Sequence, residues 1–310
     1  MRHRANAGAS SPEAARRRPT AAFAGIAAAL ALTLAGCSAP SAQVTPASGP
    51  RSSSAVAAAT VPETARSPQH IVIVVLENHS YSQVVKAPYL ASLQRRSAVL
   101  THARAIAHPS QPNYLALWSG STQGLTDDSC PHRFAADSLG AQLLRARMSV
   151  TGYFESMPTA GFSGCTAGAY ARKHNPLADF AATADARHSV PFTAFPSRDL
   201  AALPRVALVV PDLNHDMHDG SVATGDAWLR RHIDPYARWA RTHDSLLVVT
   251  WDENDNAPGN HILTLVSGQH VRPGRSGQPA THLDVLHTVE GLLGLPALGP
   301  AAPALTGIWQ

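Results

Sequence analysis

The sequence predicts an α/β protein: a mostly parallel sheet with helices on both faces. Residues 71–76, 206–210 and 246–249 are unbroken aliphatic runs rich in β-branched side chains, the pattern of strands buried on both faces, where a half-exposed strand would alternate. Segments with helical spacing fall between the runs, as crossover helices between parallel strands require. A third observation points towards function. Each run stops at polar, chemistry-bearing residues: Glu77-Asn78-His79 after the first, Asp212, Asn214, His215, Asp216, His218 and Asp219 after the second, Asp252-Glu253-Asn254-Asp255 after the third. Ligands of open α/β sheets sit outside the carboxyl ends of the strands. The chain therefore reads as an enzyme whose metal- or phosphate-binding groups converge on one sheet edge.

Ahead of that fold, Arg2, Arg4 and Arg16-Arg17-Arg18 precede an apolar, small-residue-rich stretch over residues 21–34 that is too short for a good membrane span. This is the form of a secretory signal peptide. It ends in Leu34-Ala35-Gly36-Cys37, which resembles a bacterial lipobox and places cleavage before Cys37 with a lipid on that cysteine; a plain signal cleaved among residues 38–43 is the alternative. Residues 38–67 are mostly Ala, Ser, Pro and Thr, too poor in apolar surface to offset the entropy of ordering, and read as a flexible tether. Residues 68–310 show no composition shift or repeat and read as one catalytic domain. The expected location is outside the cell, as a surface lipoprotein held to a membrane by its N-terminal lipid or as a secreted protein.

Lys and Arg number 25 against 21 Asp and Glu, but five arginines and one glutamate lie within residues 1–37. The remainder is balanced, so the basic character belongs to the export signal and gives no argument for nucleic-acid binding. Once Cys37 is assigned to the lipid, Cys130 and Cys165 remain, both in loop-like sequence. In an exported chain that predicts a disulfide between them.

Taken in order, the elements are a strand over 69–76, a helix over 87–96 with Leu90 and Leu93 inward, and a strand over 98–100. A helix follows from Pro112 to Ser119, with proline in its first turn and Gly120 just past its end, and Ser110 stands immediately before it. Helix N-termini carry unpaired amides and favour anions. A helix over 138–147 and a strand over 149–155 come next, then 157–203 as long loops over the site. After the 206–210 strand, the longest helix spans 223–241, where Trp228, Tyr236 and Trp239 form a packing stripe. The run at 246–249, a strand over 262–266 and a helix over 283–293 complete the domain.

Three segments, Leu76-Glu77-Asn78-His79-Ser80-Tyr81, His108-Pro109-Ser110-Gln111-Pro112-Asn113-Tyr114 with Ser119-Gly120, and Thr250-Trp251-Asp252-Glu253, together resemble the phosphoesterase family of secreted bacterial acid phosphatases and phospholipases C, which has the alkaline-phosphatase-like fold. Tyr170-Ala171-Arg172-Lys173-His174, the stretch from Asn214 to Ser221, and Gly225-Asp226-Ala227-Trp228-Leu229 bring the resemblance to the acid-phosphatase branch. It implies a phosphomonoester substrate, with a phosphoinositide as a candidate. The chain ends at Gln310, without the C-terminal β-domains of the phospholipases C, which tilts the expectation from diester to monoester cleavage.

By the same resemblance Ser110 is the nucleophile; its plain reading from sequence is a helix N-cap. Glu77, Asn78, Asp252 and Glu253, with the Ser110 oxygen, form a hard-ligand set for a divalent metal ion of unknown identity and number. His218 and His282 are candidates to bind phosphate or protonate the leaving group, or to complete a second cation site for which Asp216 and Asp219 are candidates. His108, Asn113, His215 and Arg172 are candidate substrate contacts, Asn113 alternatively steadying its turn and the Arg172-Lys173-His174 patch alternatively an exposed turn. Two rival functions stay open: a phospholipase C-type diesterase, and a surface lipoprotein that binds metal or phosphate without turnover.

Overall fold

The computed structural model describes Val61 and residues 67–310. The expected signal with Cys37 and, Val61 and Ser67 apart, the tether lie outside the described residues. In chain order the first half contains β1 (His70–Leu76), α1 (Tyr81–Val84), α2 (Pro88–Gln94), β2 (Ala98–Ala103), α3 (Ser110–Ser119), α4 (Leu139–Arg145) and β3 (Val150–Phe154). Then come β4 (Thr166–Ala167), β5 (Tyr170–Ala171), α5 (Pro176–Asp179), β6 (Ser189–Pro191) and β7 (Val206–Val210). The chain closes with α6 (Val222–His232), α7 (Asp234–Trp239), β8 (Ser245–Trp251), β9 (Thr264–Gly268), β10 (Gly274–Ala280) and α8 (His282–Leu292).

The three aliphatic runs are neighbouring strands. One eight-stranded sheet has the order β10-β2-β9-β8-β1-β7-β3-β6, and β4-β5 is a separate two-stranded ribbon. Val74 of β1 lies between Val209 of β7 and Val249 of β8 in parallel register. β9 is antiparallel to both β2 and β8, so β2, β8, β1, β7 and β3 all point the same way and end on one edge. β1, β7 and β8 are buried almost end to end, which requires cover on both faces. The helices form two packed groups, α3 with α4, α5 and α8, and α2 with α6 and α7. No helix among the described residues is long and apolar enough to cross a membrane.

Several expected elements shift, each for a local reason. The helix expected over 223–241 breaks at Ile233, because Pro235 in the first turn of α7 has no amide to continue α6. The expected loops of 157–203 contain the ribbon β4-β5, α5 and the short edge strand β6, paired parallel to β3. β10, Gly-Arg-Ser-Gly-Gln-Pro-Ala, has no apolar pattern and goes unseen in the sequence; it lies largely exposed at the sheet edge, where glycine and proline are tolerated. Trp228 and Tyr236 are packed in the core and Trp239 against it. The Cys130–Cys165 disulfide is formed.

Candidate active site

The site starts from α3. All ten of its residues are buried, so its polar side chains must find partners inside the protein. Pro109, not Ser110, is the N-cap, and Ser110 is the first helical residue. Its hydroxyl is therefore free of capping, and donates to Glu77 Oε2 at 2.9 Å with Glu253 Oε1 at 3.4 Å. That geometry removes the plain N-cap reading. Asn113 spends all its hydrogen-bonding capacity on the preceding loop: Oδ1 accepts from the amides of Ile106 and Ala107 and Nδ2 donates to the carbonyls of Ala107 and Pro109. It steadies the turn, and this leaves no free donor for the expected substrate contact. At the other end Gly120 takes φ +71, and a Cβ there would lie 2.4 Å from the Leu298 carbonyl, so the helix stops where only glycine fits.

Strand ends supply the rest. Glu77 leaves β1, Asp252 and Glu253 leave β8, and Asp216 sits in the loop after β7, tied back by the Glu77 amide to the Asp216 carbonyl. Asn78 adopts φ 54, a left-handed turn that asparagine tolerates, and its amide donates to Asp252 Oδ1. His174 bridges two carboxylates, Nε2 lying 3.3 Å from Glu77 Oε1 and Nδ1 lying 3.4 Å from Asp216 Oδ2. One ligand atom from each of Glu77, His174 and Asp216 falls within 4.8 Å of the other two. Tyr114, one turn along α3 from Ser110, donates to Glu77 Oε1 and stacks on His174.

These carboxyls are electrostatically unhappy as they stand. Burial, then Asp252 and Asp216, holds Glu77 well above the usual carboxylate range. Burial, then the neighbouring Glu253, pushes Asp252 up to about 7; Glu253 is pushed up to about 7 by burial and Asp128. Burial keeps His174 well below the ordinary imidazole value. Asp216 Oδ2, Asp252 Oδ2 and His174 Nε2 have no hydrogen-bond partner among the described residues. Buried ligand atoms that repel one another and lack hydrogen-bond partners are the chemistry of a cation site.

The remaining candidates divide. His108 places Nδ1 2.5 Å from Glu253 Oε2 and is partly exposed. His218 directs Nδ1 to Asp219 Oδ1 at 2.7 Å, its amide to Asp216 Oδ1, and Nε2 to Lys173 Nζ at 3.3 Å. Asp219 thus orients His218, and of the two second-site candidates only Asp216 joins the buried cluster. His282 is buried at the start of α8, with Nε2 against the Trp251 carbonyl, and burial lowers its pKa to about 4; the structure leaves it a neutral ring inside the protein and no acid at the mouth. His215 faces elsewhere: Glu155 and Asp212 hold its Nδ1, and it lines a separate cavity of about 460 Å³ with Trp228 and His232. Arg172 is no rim contact either. Its guanidinium is buried on Asp179 and the carbonyls of Ser163, His132 and Ala178, and Asp179 in turn holds Gln111 of α3.

Sequence reasoning did not single out Tyr114 or Asp128, and it placed His174 only in a basic patch at the rim or in an exposed turn. Tyr114 carried a readable signal, the four-residue spacing that puts it on the face of Ser110. Asp128 and His174 carried none, because loops far apart in sequence deliver them.

Sheet order and crossover pattern define a mostly parallel α/β fold with a polar cluster at its strand ends. The fold superimposes on a protein of the alkaline phosphatase superfamily from Vibrio parahaemolyticus with a TM-score of 0.56, covering 79% of this chain and 72% of that one at 14% identity. It also superimposes on the lipoteichoic acid synthase LtaP of Listeria monocytogenes, TM-score 0.54, over 78% of this chain and 76% of that one at 14% identity. In sequence the chain is 47% identical over 247 residues to the phosphatidylinositol-3-phosphatase of Mycobacterium tuberculosis, 77% of this chain and 82% of the relative. It is 31% identical to the phosphate-repressible acid phosphatase of Penicillium chrysogenum over 72% of this chain, and spans 58% of that longer protein. The chain belongs to the Phosphoesterase family, whose model matches residues 83–296.

Proposed function

We propose that this chain is an exported acid phosphatase that cleaves phosphate monoesters with Ser110 as nucleophile and the assistance of a divalent cation, and that the residue 1–37 signal with Cys37 anchors it outside the cell. The observation that carries the reading is Ser110 itself: buried, first in α3, uncapped, and hydrogen-bonded to a carboxylate from a different strand end. The names of the two relatives, a phosphatidylinositol-3-phosphatase and an acid phosphatase, support a monoester substrate and make a phosphoinositide headgroup the first candidate.

The unpartnered oxygens and the mutual repulsion of the cluster fit a cation. Glu77, Asn78, Ser110, Asp252 and Glu253 would hold it, and Asp216 and His174 extend the donor set. When bound, it supplies positive charge that favours an ionised serine hydroxyl and offsets the charge of the phosphoryl oxygens. The chain's own groups do the rest. Ser110 Oγ attacks phosphorus opposite the leaving oxygen, one P–O bond forming as the ester P–O bond breaks. The leaving oxygen takes its proton from the partly exposed imidazole of His108. Water then displaces the serine from phosphorus, releasing phosphate and restoring the hydroxyl.

Phosphate release from p-nitrophenyl phosphate and phosphatidylinositol 3-phosphate, with diacylglycerol release from phosphatidylcholine measured separately, tests this reading. Wild type is expected to turn over the monoesters. Ser110→Ala should lose at least ~1,000-fold in kcat while keeping its thermal transition. Near-normal turnover by Ser110→Ala would remove the serine mechanism, and diacylglycerol as the main product would make the protein a phospholipase.

A further inference from the structure

We infer that Lys173 is the residue that grips the substrate's phosphoryl group, and that Asp128 is the positioning residue that holds Lys173 over Ser110. The inference rests on the phosphatase reading of the site and adds to it the source of its fixed positive charge.

A phosphate monoester arrives as an anion at a site built from Glu77, Asp216, Asp252 and Glu253. A single divalent cation does not balance four carboxylates, so an anionic substrate calls for a further positive charge from the chain. Arg172 cannot serve, since its guanidinium is buried on Asp179 and three carbonyls. The next residue can. Lys173 is half-buried, and its charge acts on Glu77, Asp252 and Glu253. Burial opposes that charge, but the carboxylates of Asp128, Glu77 and Asp252 together outweigh it, and Asp128 pairs with the amine directly at 2.7 Å.

The donors can be counted. An ammonium has three N–H groups. One goes to Asp128 Oδ2 at 2.7 Å and one to His218 Nε2 at 3.3 Å, the latter an acceptor when Nδ1–H is committed to Asp219. The third has no partner among the described residues. Asp128 is fixed by its other oxygen, which accepts the Gln111 amide at 2.9 Å. Gln111 follows Ser110 directly, so a single carboxylate ties the Lys173 amine to the first turn of the nucleophile's helix. A purely structural role for Lys173 is the alternative, and a half-exposed ion pair of that kind contributes only about 0–1 kcal/mol to stability.

The two readings part in kinetics. The test uses the metal-loaded full chain with Lys173→Met, Lys173→Gln, Lys173→Arg and Asp128→Asn, measuring monoester kcat and KM, competitive inhibition by inorganic phosphate, calorimetric phosphate binding, and thermal transitions. Lys173→Met and Lys173→Gln are expected to lose ~100-fold or more in kcat/KM and to weaken phosphate inhibition, with little change in the transition. Lys173→Arg should recover part of the phosphate affinity. Asp128→Asn keeps the charge but loses its aim, so kcat should fall more than phosphate affinity. If both neutral variants keep kcat/KM and phosphate affinity within ~3-fold of wild type, the inference is overturned. Should wild type release no phosphate from any monoester, the phosphatase reading fails by itself, and calorimetry then decides Lys173. Phosphate binding lost in Lys173→Met sustains its role; equal binding, or none by wild type, removes it.

Discussion

Asp252 shows how a single residue couples this site to pH. Burial, then Glu253, lifts its carboxyl to about 7, against about 3.9 in an unfolded chain. Between those values the folded protein holds a proton that the unfolded chain has released. Stability from this group is therefore present at acid pH and lost as pH rises towards 7. A bound cation competes with that proton and reverses the trend, since its affinity grows as the ligands deprotonate. Melting curves in chelator at about pH 5 and about pH 8 should show wild type losing ground to Asp252→Asn at the higher pH, by on the order of a few kcal/mol. A divalent cation should stabilise wild type most at the higher pH and Asp252→Asn little at either. If the cation raises the two transitions equally, the cluster does not hold it.

The elements that carry the site differ in how openly the sequence announces them. β1, β7 and β8 were legible because buried parallel strands leave unbroken aliphatic runs, and the clusters at their ends were legible because function stops such runs abruptly. β10 was not legible, since an exposed edge strand is held by backbone pairing to β2 and needs no apolar side chains. The α6–α7 break was readable in principle from Pro235, but a continuous stripe of Trp228, Tyr236 and Trp239 masked it. Between elements, the loop after β7 is tightly built. Met217 takes φ 83 between Asp216 and His218, and a Cβ on Gly220 would fall 1.8 Å from the Asn214 carbonyl. Backbone cannot yield as a flexible side chain can. Gly220→Ala should cost about 1–3 kcal/mol and, by displacing Asp216 and His218, reduce kcat at temperatures where the variant remains folded. A folded Gly220→Ala with normal kcat would mean that this loop does not set the site's geometry.

At the scale of the whole molecule the site is a meeting of strand ends with two long excursions, and the excursions hid Asp128, and the buried place of His174 between Glu77 and Asp216, from sequence reasoning. Spacing along one element can reveal Tyr114 from Ser110, but nothing local in Asp127-Asp128-Ser129 or Lys173-His174 says that both return to one place. Cys130 and Cys165 reveal it indirectly, because their disulfide joins those same excursions. Cys130 lies two residues from Asp128, and the Cys165 carbonyl accepts the Arg172 amide, next to Lys173. The bridge closes a loop across a sequence separation of 35, for which chain entropy predicts roughly 3–4 kcal/mol of stabilisation. It also shortens the slack in the two arms that present the Asp128–Lys173 pair to Ser110. Replacing both cysteines by serine should therefore act twice: the thermal transition falls by the equivalent of roughly 2–4 kcal/mol, and KM for a phosphate monoester rises well below that transition, while kcat changes less. The order of the two effects separates them. A rise in KM that appears only as the protein begins to unfold would leave the disulfide a stabiliser alone; a rise while the protein is fully folded makes it part of how the site holds its substrate.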